Sequence, residues 1–196
     1  MIKSILLTGV GGQGVLFSAG IIASAAESAG YNVTTNEIHG MAQRGGSVTA
    51  QVRFSDEEGE LSPLALVGTV DVLASMEQIE ALRYAHWLKK GGAAVVAKTA
   101  VIPVTVTNGE CSYPNDVEER LNQVFDHLVW LDCVEQALKM GNARLSNTIL
   151  TGAMAKELPE IGIEHWRKGL LAKLKPGMEE MNLQAFMKGY EQCSNI

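Results

Sequence analysis

The sequence predicts an α/β protein with a doubly wound, mostly parallel sheet and a helical C-terminal segment. Three observations predict it. Apolar, strand-like runs alternate with stretches of helical periodicity up to about residue 132. The first run, Ile2 to Thr8, ends in a cluster of glycines and passes straight into a helical pattern, the usual opening of a βα unit. From about residue 134 to the end the strand signal stops, and helical stretches are punctuated by "LPEIG" and "KPGM". With 196 residues, 46% of them hydrophobic and 19% charged, the chain can bury a real core. No repeat, linker or low-complexity tract divides it, so residues 1–196 are expected to form a single domain.

Each element follows from local chemistry. Ile2 to Thr8 is a buried strand. Gln13 to Ser28 brings Val15, Ala19, Ile22 and Ala26 to one face, and its small side chains allow close packing on a sheet. Gly30 supplies the stop. Tyr31 to Ile38 is the second strand candidate. Ser47 to Ser55, "SVTAQVRFS", alternates apolar and polar and reads as a strand with one wet face. "DEEGE" is a turn. Asp71 to Met76 is a strand, Glu77 to Lys89 an amphipathic helix, Ala93 to Lys98 a buried strand, and Ile102 to Thr107 a short one. Asn115 to Phe125 is a helix opened by an Asn/Asp cap. His127 to Asp132 is the last strand.

Composition narrows the function. A formal charge of −6, with no basic run, argues against a nucleic-acid partner. Cys111, Cys133 and Cys193 are an odd, widely spaced set without CxxC, which fits reduced thiols in a cytoplasm and neither a disulfide framework nor a cluster or zinc held by this chain alone. Met1 to Leu7 meets the glycines before a signal-like apolar region develops, and Pro63 to Met76 is too short to span a bilayer and carries Asp71. A cytoplasmic protein without a membrane partner is expected.

Gly9, Gly11 and Gly14 satisfy G-x-G-x-x-G between a strand and a helix, with Gly12 and Gln13 in the variable positions. Glycines there permit a tight turn and bring backbone N–H groups near an anion at a helix N-terminus. A Walker A loop would continue with Lys and Ser/Thr. Val15 and Leu16 stand there instead, so the essential cation is missing. A dinucleotide site of Rossmann type wants an acid about 20 residues on, near the end of the second strand, and Glu37 is placed for it. The plain alternative is a structural turn that lets the helix pack.

"EIHGMAQRGGSV", residues 37–48, puts an acid, an imidazole, an amide, a guanidinium and paired glycines on one segment past a strand's carboxyl end. That is where open α/β sheets bind ligands. Arg44 is a fixed cation, and Gly45–Gly46 can present N–H groups as a small anion-binding concavity. A surface ion pair for Arg44, a turn for Gly45–Gly46 and a structural hydrogen bond for His39 are the bland counterparts.

"GVGGQGV" at the first turn together with "EIHGMAQRGGSV" at the second resembles the gamma-type subunits of 2-oxoacid:ferredoxin oxidoreductases. The resemblance extends over nearly the whole chain, including "DVLASMEQIEALR" at 71–83 and "NLQAFMKGYE" at 182–191. It is strongest to the beta subunit of the indolepyruvate (arylpyruvate) branch, through "HGMAQRGG". The resemblance implies a complex that oxidatively decarboxylates a 2-oxoacid to the acyl-CoA and passes electrons to ferredoxin. Such a complex is expected to use thiamine diphosphate, Mg, Fe–S clusters and coenzyme A. This chain has no Gly-Asp-Gly segment and no cysteine set, so no cofactor is expected on it alone. A larger catalytic subunit is expected to carry thiamine diphosphate and the clusters, and the isolated chain is expected to be inactive. No residue here is expected to do bond chemistry. The implied contact set for coenzyme A or the partner is Gly9, Gly11, Gly12, Gln13, Gly14, Val15, Glu37, His39, Gln43, Arg44, Gly45, Gly46 and Ser47.

Two other functions stay open on sequence alone: a free-standing NAD(P)-binding protein using Gly9, Gly11, Gly14 and Glu37, and a non-catalytic scaffold. Self-association as a homodimer is also open. His86, His127 and His165 read as structural, and Asn142, Arg144 and Asn147 read as helix capping before an apolar helix.

Overall fold

A computed structural model describes residues 1–39 and 45–192. Its centre is a six-stranded sheet in the order β2-β3-β1-β4-β5-β6. The strands are β1 (Ile2–Val10), β2 (Asn32–His39), β3 (Ser47–Ser55), β4 (Val70–Ser75), β5 (Leu88–Ala97) and β6 (Leu128–Leu131). β1, β4, β5 and β6 pair in parallel. β3 runs antiparallel to both β1 and β2. Five strands therefore share one direction, as a mostly parallel sheet requires, and β3 alone opposes them.

Helices cover both faces. α1 (Val15–Ser28) packs on β1, β2 and β3. α2 (Gln78–Tyr84) lies on the opposite face against β1, β4 and β5. α3 (Val104–Thr107) is a single turn, and α4 (Val117–Val124) packs beside α2. α5 (Cys133–Lys139), α6 (Ser146–Lys156), α7 (Ile163–Lys173) and α8 (Glu179–Gln192) form the helical C-terminal segment. They share one core with α1, in which Trp166, Phe186, Ile149 and Ile22 are fully buried. A smaller core on the other face gathers Leu6, Leu73, Val96, Leu121 and Phe125. Alternate residues of β1 serve the two cores, Ile5 and Leu7 one and Leu6 the other, as the two-residue period of a strand dictates.

α1 meets its neighbours closely because its buried face is small: Ala19, Ala25 and Ala26 are fully covered. α8 meets α6 more closely still. A Cβ at Gly189 would run into the carbonyl of Ile149, and one at Gly152 into the carbonyl of Phe186.

Four expectations are corrected. The helix expected over Glu77 to Lys89 ends at Tyr84, a 3-10 turn follows at Ala85–Trp87, and β5 already begins at Leu88 rather than Ala93. The early part of β5 is recruited by β4, through Val70 opposite Leu88 and an ion pair between Lys89 and Asp71. The strand expected over Ile102 to Thr107 is instead the single turn α3. β5 is paired on both sides, so a further β-branched segment finds no free edge there. The helix expected from Asn115 begins at Val117, and its N-cap Asp116 makes no side-chain cap bond. Among the described residues, no helix is long and apolar enough to cross a membrane.

Candidate functional site

The glycine loop emerges at the carboxyl end of β1. Gln13 braces it: its Oε1 accepts the N–H of Val10 at 2.7 Å, and its Nε2 donates to the carbonyl of Met76 at 3.1 Å, just past β4. Gln13 thus ties two parallel strand ends together. The space beside Gly9 is filled by the same Gln13 side chain and by Met76, so a side chain there would displace the brace.

The second loop returns to the first. β2 and β3 form a hairpin whose far strand lies against β1, with Ser47 opposite Val10. The N–H of Gly11 donates to the carbonyl of Gly46 at 2.9 Å. The sheet thereby joins Gly9, Gly11, Gly12, Gln13 and Gly14 to Gly45, Gly46 and Ser47. Val15 is buried and packs into the core as the first residue of α1.

The donors are fewer than the glycine count implies. Gly11 N–H is taken by Gly46, and Gln13 N–H by the carbonyl of Val10 at 3.1 Å. The N–H groups of Gly12, Gly14 and Val15 make no hydrogen bond to a described residue, and no side chain caps α1. They carry the partial positive charge of the helix N-terminus. Gly12 and Gly14 help line a cleft of about 440 Å³, together with Thr99, Arg144, Ser146 and Asn147. The exposed Arg144 forms no ion pair with a described residue. The cleft combines fixed N–H dipoles, a guanidinium and neutral hydroxyl and amide groups, a chemistry suited to an anionic, phosphate-bearing group.

Of the capping expected at Asn142, Arg144 and Asn147, only that of Asn142 is found. Asn142 does cap, accepting the N–H of Arg144 at 3.1 Å. Asn147, at the start of α6, instead lays its amide over Gly14. Glu37 is not brought to the glycine loop. It is exposed on the edge strand opposite Ala50, with β3 between it and β1. Gln43, Arg44 and the imidazole of His39 lie outside the described residues, as does Cys193.

A second cavity, of about 380 Å³, has Gly45, Ser47, Glu77, Glu80, Arg83 and Tyr113 among its lining residues. Glu77 is buried and fully used. Its carboxylate accepts from Ile79 N at 2.7 Å and Glu80 N at 2.9 Å, from Val101 N at 3.3 Å, and from the Tyr113 hydroxyl at 3.0 Å. It caps α2 and ties that helix to the segment after β5. Burial, reinforced by the charge of Glu77, pushes the Tyr113 phenol up to about 12. Glu80, also buried, accepts from Ser47 Oγ at 2.5 Å. Sequence reasoning missed this pair; two glutamates at the head of an apolar helix were the available signal.

The remaining histidines are structural neighbours: His165 Nδ1 lies 3.0 Å from Ser28 Oγ, and His127 Nε2 lies 3.6 Å from Glu157. Cys111 is exposed and Cys133 buried. Among the described residues no three His, Cys, Asp or Glu side chains gather as a metal site.

Comparison with known proteins adds the family. The profile of the pyruvate ferredoxin/flavodoxin oxidoreductase family matches residues 4–192. Indolepyruvate oxidoreductase subunit IorB of Archaeoglobus fulgidus is 38% identical over 194 residues, covering 97% of this chain and 94% of that one. The fold is shared with the gamma subunit of a keto/oxoacid ferredoxin oxidoreductase from Geobacter sulfurreducens, at a TM-score of 0.73 and 22% identity over 99% of both chains. It is shared too with 2-oxoglutarate:ferredoxin oxidoreductase from Magnetococcus marinus, whose structure has 2-oxoglutarate, coenzyme A and succinyl-CoA bound. There the TM-score is 0.74 at 22% identity, over all of this chain and 31% of that longer one.

Proposed function

This chain belongs to the pyruvate ferredoxin/flavodoxin oxidoreductase family, and we propose that it is the small subunit of an indolepyruvate-type (arylpyruvate) 2-oxoacid:ferredoxin oxidoreductase in the cytoplasm. The complex breaks the bond between the substrate's carboxylate and carbonyl carbon. Carbon dioxide leaves, the acyl group is captured as the coenzyme A thioester, and two electrons go to ferredoxin. The subunit's part is to complete the cavity of a larger catalytic partner and to hold a phosphate-bearing portion of coenzyme A.

The observation that carries this proposal is the bond from Gly11 N–H to the Gly46 carbonyl, which joins both glycine loops beside an open helix N-terminus and a cleft containing Arg144. The N–H groups of Gly12 and Gly14, with Arg144 and Arg44, would hold the phosphates. Their role is binding and orientation, which contributes to rate by placing the thiol-bearing cosubstrate. Thiamine diphosphate, magnesium and Fe–S clusters do not fit this chain's residues. It has no Gly-Asp-Gly segment, and its described residues offer no donor cluster. Those groups are assigned to the partner, and no step through them is derived from this chain.

The test is reconstitution with the larger subunit. The complex should turn over indolepyruvate with coenzyme A and ferredoxin in preference to 2-oxoglutarate and pyruvate, and the lone chain should show no turnover. Activity from the lone chain would refute the subunit role, and a preference for 2-oxoglutarate would refute the arylpyruvate assignment. Arg44→Ala and Arg144→Ala should each raise the KM for coenzyme A; unchanged KM and kcat in both would remove the cosubstrate contact.

A further inference from the structure

The second glycine loop has an anchor besides its backbone bond to Gly11. Ser47, the first residue of β3, directs its hydroxyl to Glu80 Oε2 at 2.5 Å and lies 3.3 Å from the Tyr84 hydroxyl. Glu80 and Tyr84 are four residues apart on α2 and so share a face. With Ser47 donating to the carboxylate, its oxygen is left to accept from Tyr84. Arg83 Nη1 stands 3.4 Å from the other oxygen of Glu80.

Glu80 is only 5% exposed. A buried carboxylate is costly unless it is hydrogen-bonded, so this contact is strongly directed. The helix presenting it is itself fixed, because the Glu80 N–H is held by Glu77 Oε2 at 2.9 Å. Gly46, immediately before Ser47, gives its carbonyl to Gly11 N–H. A continuous chain of contacts thus runs from the N-cap of α2 through Glu80, Ser47 and Gly46 to the glycine loop beside the cleft.

We propose that Glu80 is a positioning residue for the paired glycine loops: by holding Ser47 Oγ it sets the Gly46 carbonyl that receives Gly11, and so fixes the spacing between the loops. Its consequence for catalysis rests on the function proposed above, in which these loops bind coenzyme A inside the assembled complex.

Two readouts separate the latch from that function. In the isolated chain, amide exchange at Gly11 and over Gly46–Thr49 should rise about tenfold or more in Glu80→Ala and in Ser47→Ala, with exchange in α8 unchanged. Glu80→Gln, whose amide oxygen still accepts from Ser47, should stay near the native rate. Ser47→Ala removes one hydroxyl from a half-buried position and keeps the test available if Glu80→Ala does not fold. Unchanged exchange at Gly11 and Gly46 in Ser47→Ala, or a rise matched in α8, would overturn the latch. In the reconstituted complex, Ser47→Ala should raise the KM for coenzyme A several-fold with kcat nearly constant. Faster exchange with an unmoved KM would uphold the latch and remove coenzyme A from these loops.

Discussion

The side-chain amide of Asn147 lies over Gly14, in the space that a Cβ on Gly14 would enter. Gly14 also has φ +86°, in the left-handed region, where it turns the chain into α1 without a side-chain cap. Gly14→Ala therefore meets two obstacles. The backbone conformation alone should cost about 1–2 kcal/mol. The steric part is smaller, because the obstructing group is the swinging end of a side chain. Adding Asn147→Ala should restore only that steric part. Urea unfolding of both single variants and the double variant checks this; a double variant as stable as Asn147→Ala alone would show that the left-handed turn is not what requires glycine.

Strand order decides between two uses of G-x-G-x-x-G. In a dinucleotide site the ribose-binding acid stands on the strand beside the glycine loop. Here β3 is inserted, with Leu7 opposite Ala50 and Ala50 opposite Glu37. Two strand spacings, about 10 Å, separate Glu37 from the β1 register. Added NADH should produce no saturable change in tryptophan fluorescence at micromolar concentration. Saturable binding abolished by Glu37→Ala would reinstate the dinucleotide site.

Tyr113 makes stability depend on alkaline pH. Its phenol rises from 10.0 to about 12 in the folded chain, chiefly through burial. Between those values the unfolded chain loses the proton while the folded chain keeps it, so ionisation favours unfolding. The stability tied to Tyr113 is complete below pH 10 and is lost as pH rises through about 12. Tyr113→Phe gives up the bond to Glu77 and lowers stability at neutral pH. It should also flatten the fall in urea midpoint between pH 10 and 12 relative to the native chain. Equal slopes in the two proteins would refute the assignment.

Much of the fold is legible in the sequence because local pattern and tertiary role coincide. "SVTAQVRFS" forms β3 over the same residues, although the wet face its alternation predicts is covered: Thr49, Gln51 and Ser55 are buried in a strand flanked by β1 and β2. The small residues after Gln13 form α1, and the stretch beyond residue 134 is helical. Legibility fails where a neighbour decides. "LKKGG" has no strand pattern, yet Leu88 pairs with Val70 of β4, and a register shift carries the chain through Gly91, at φ +72°, to Ala93 opposite Val72. "IPVTVT" has a strand pattern but meets no open sheet edge. At the site, the glycines and the RGGS turn stand out as composition. The brace at Gln13, the amide of Asn147 over Gly14 and the Ser47–Glu80 contact join residues far apart in sequence, so spacing along the chain does not reveal them. The same holds for the insertion of β3 between β1 and β2, since periodicity identifies strands without ordering them.

The C-terminal helix reaches the cleft without touching it. Asn147 lines the cleft, and its neighbour Thr148 is hydrogen-bonded at 3.0 Å to Asn182 on α8. The glycines of α6 and α8 let the two backbones press together behind that wall. α8 therefore acts as a buttress: damage to the final helix would loosen a wall of the cleft from behind, so a change in the cleft's shape could originate some thirty-five residues further along the chain.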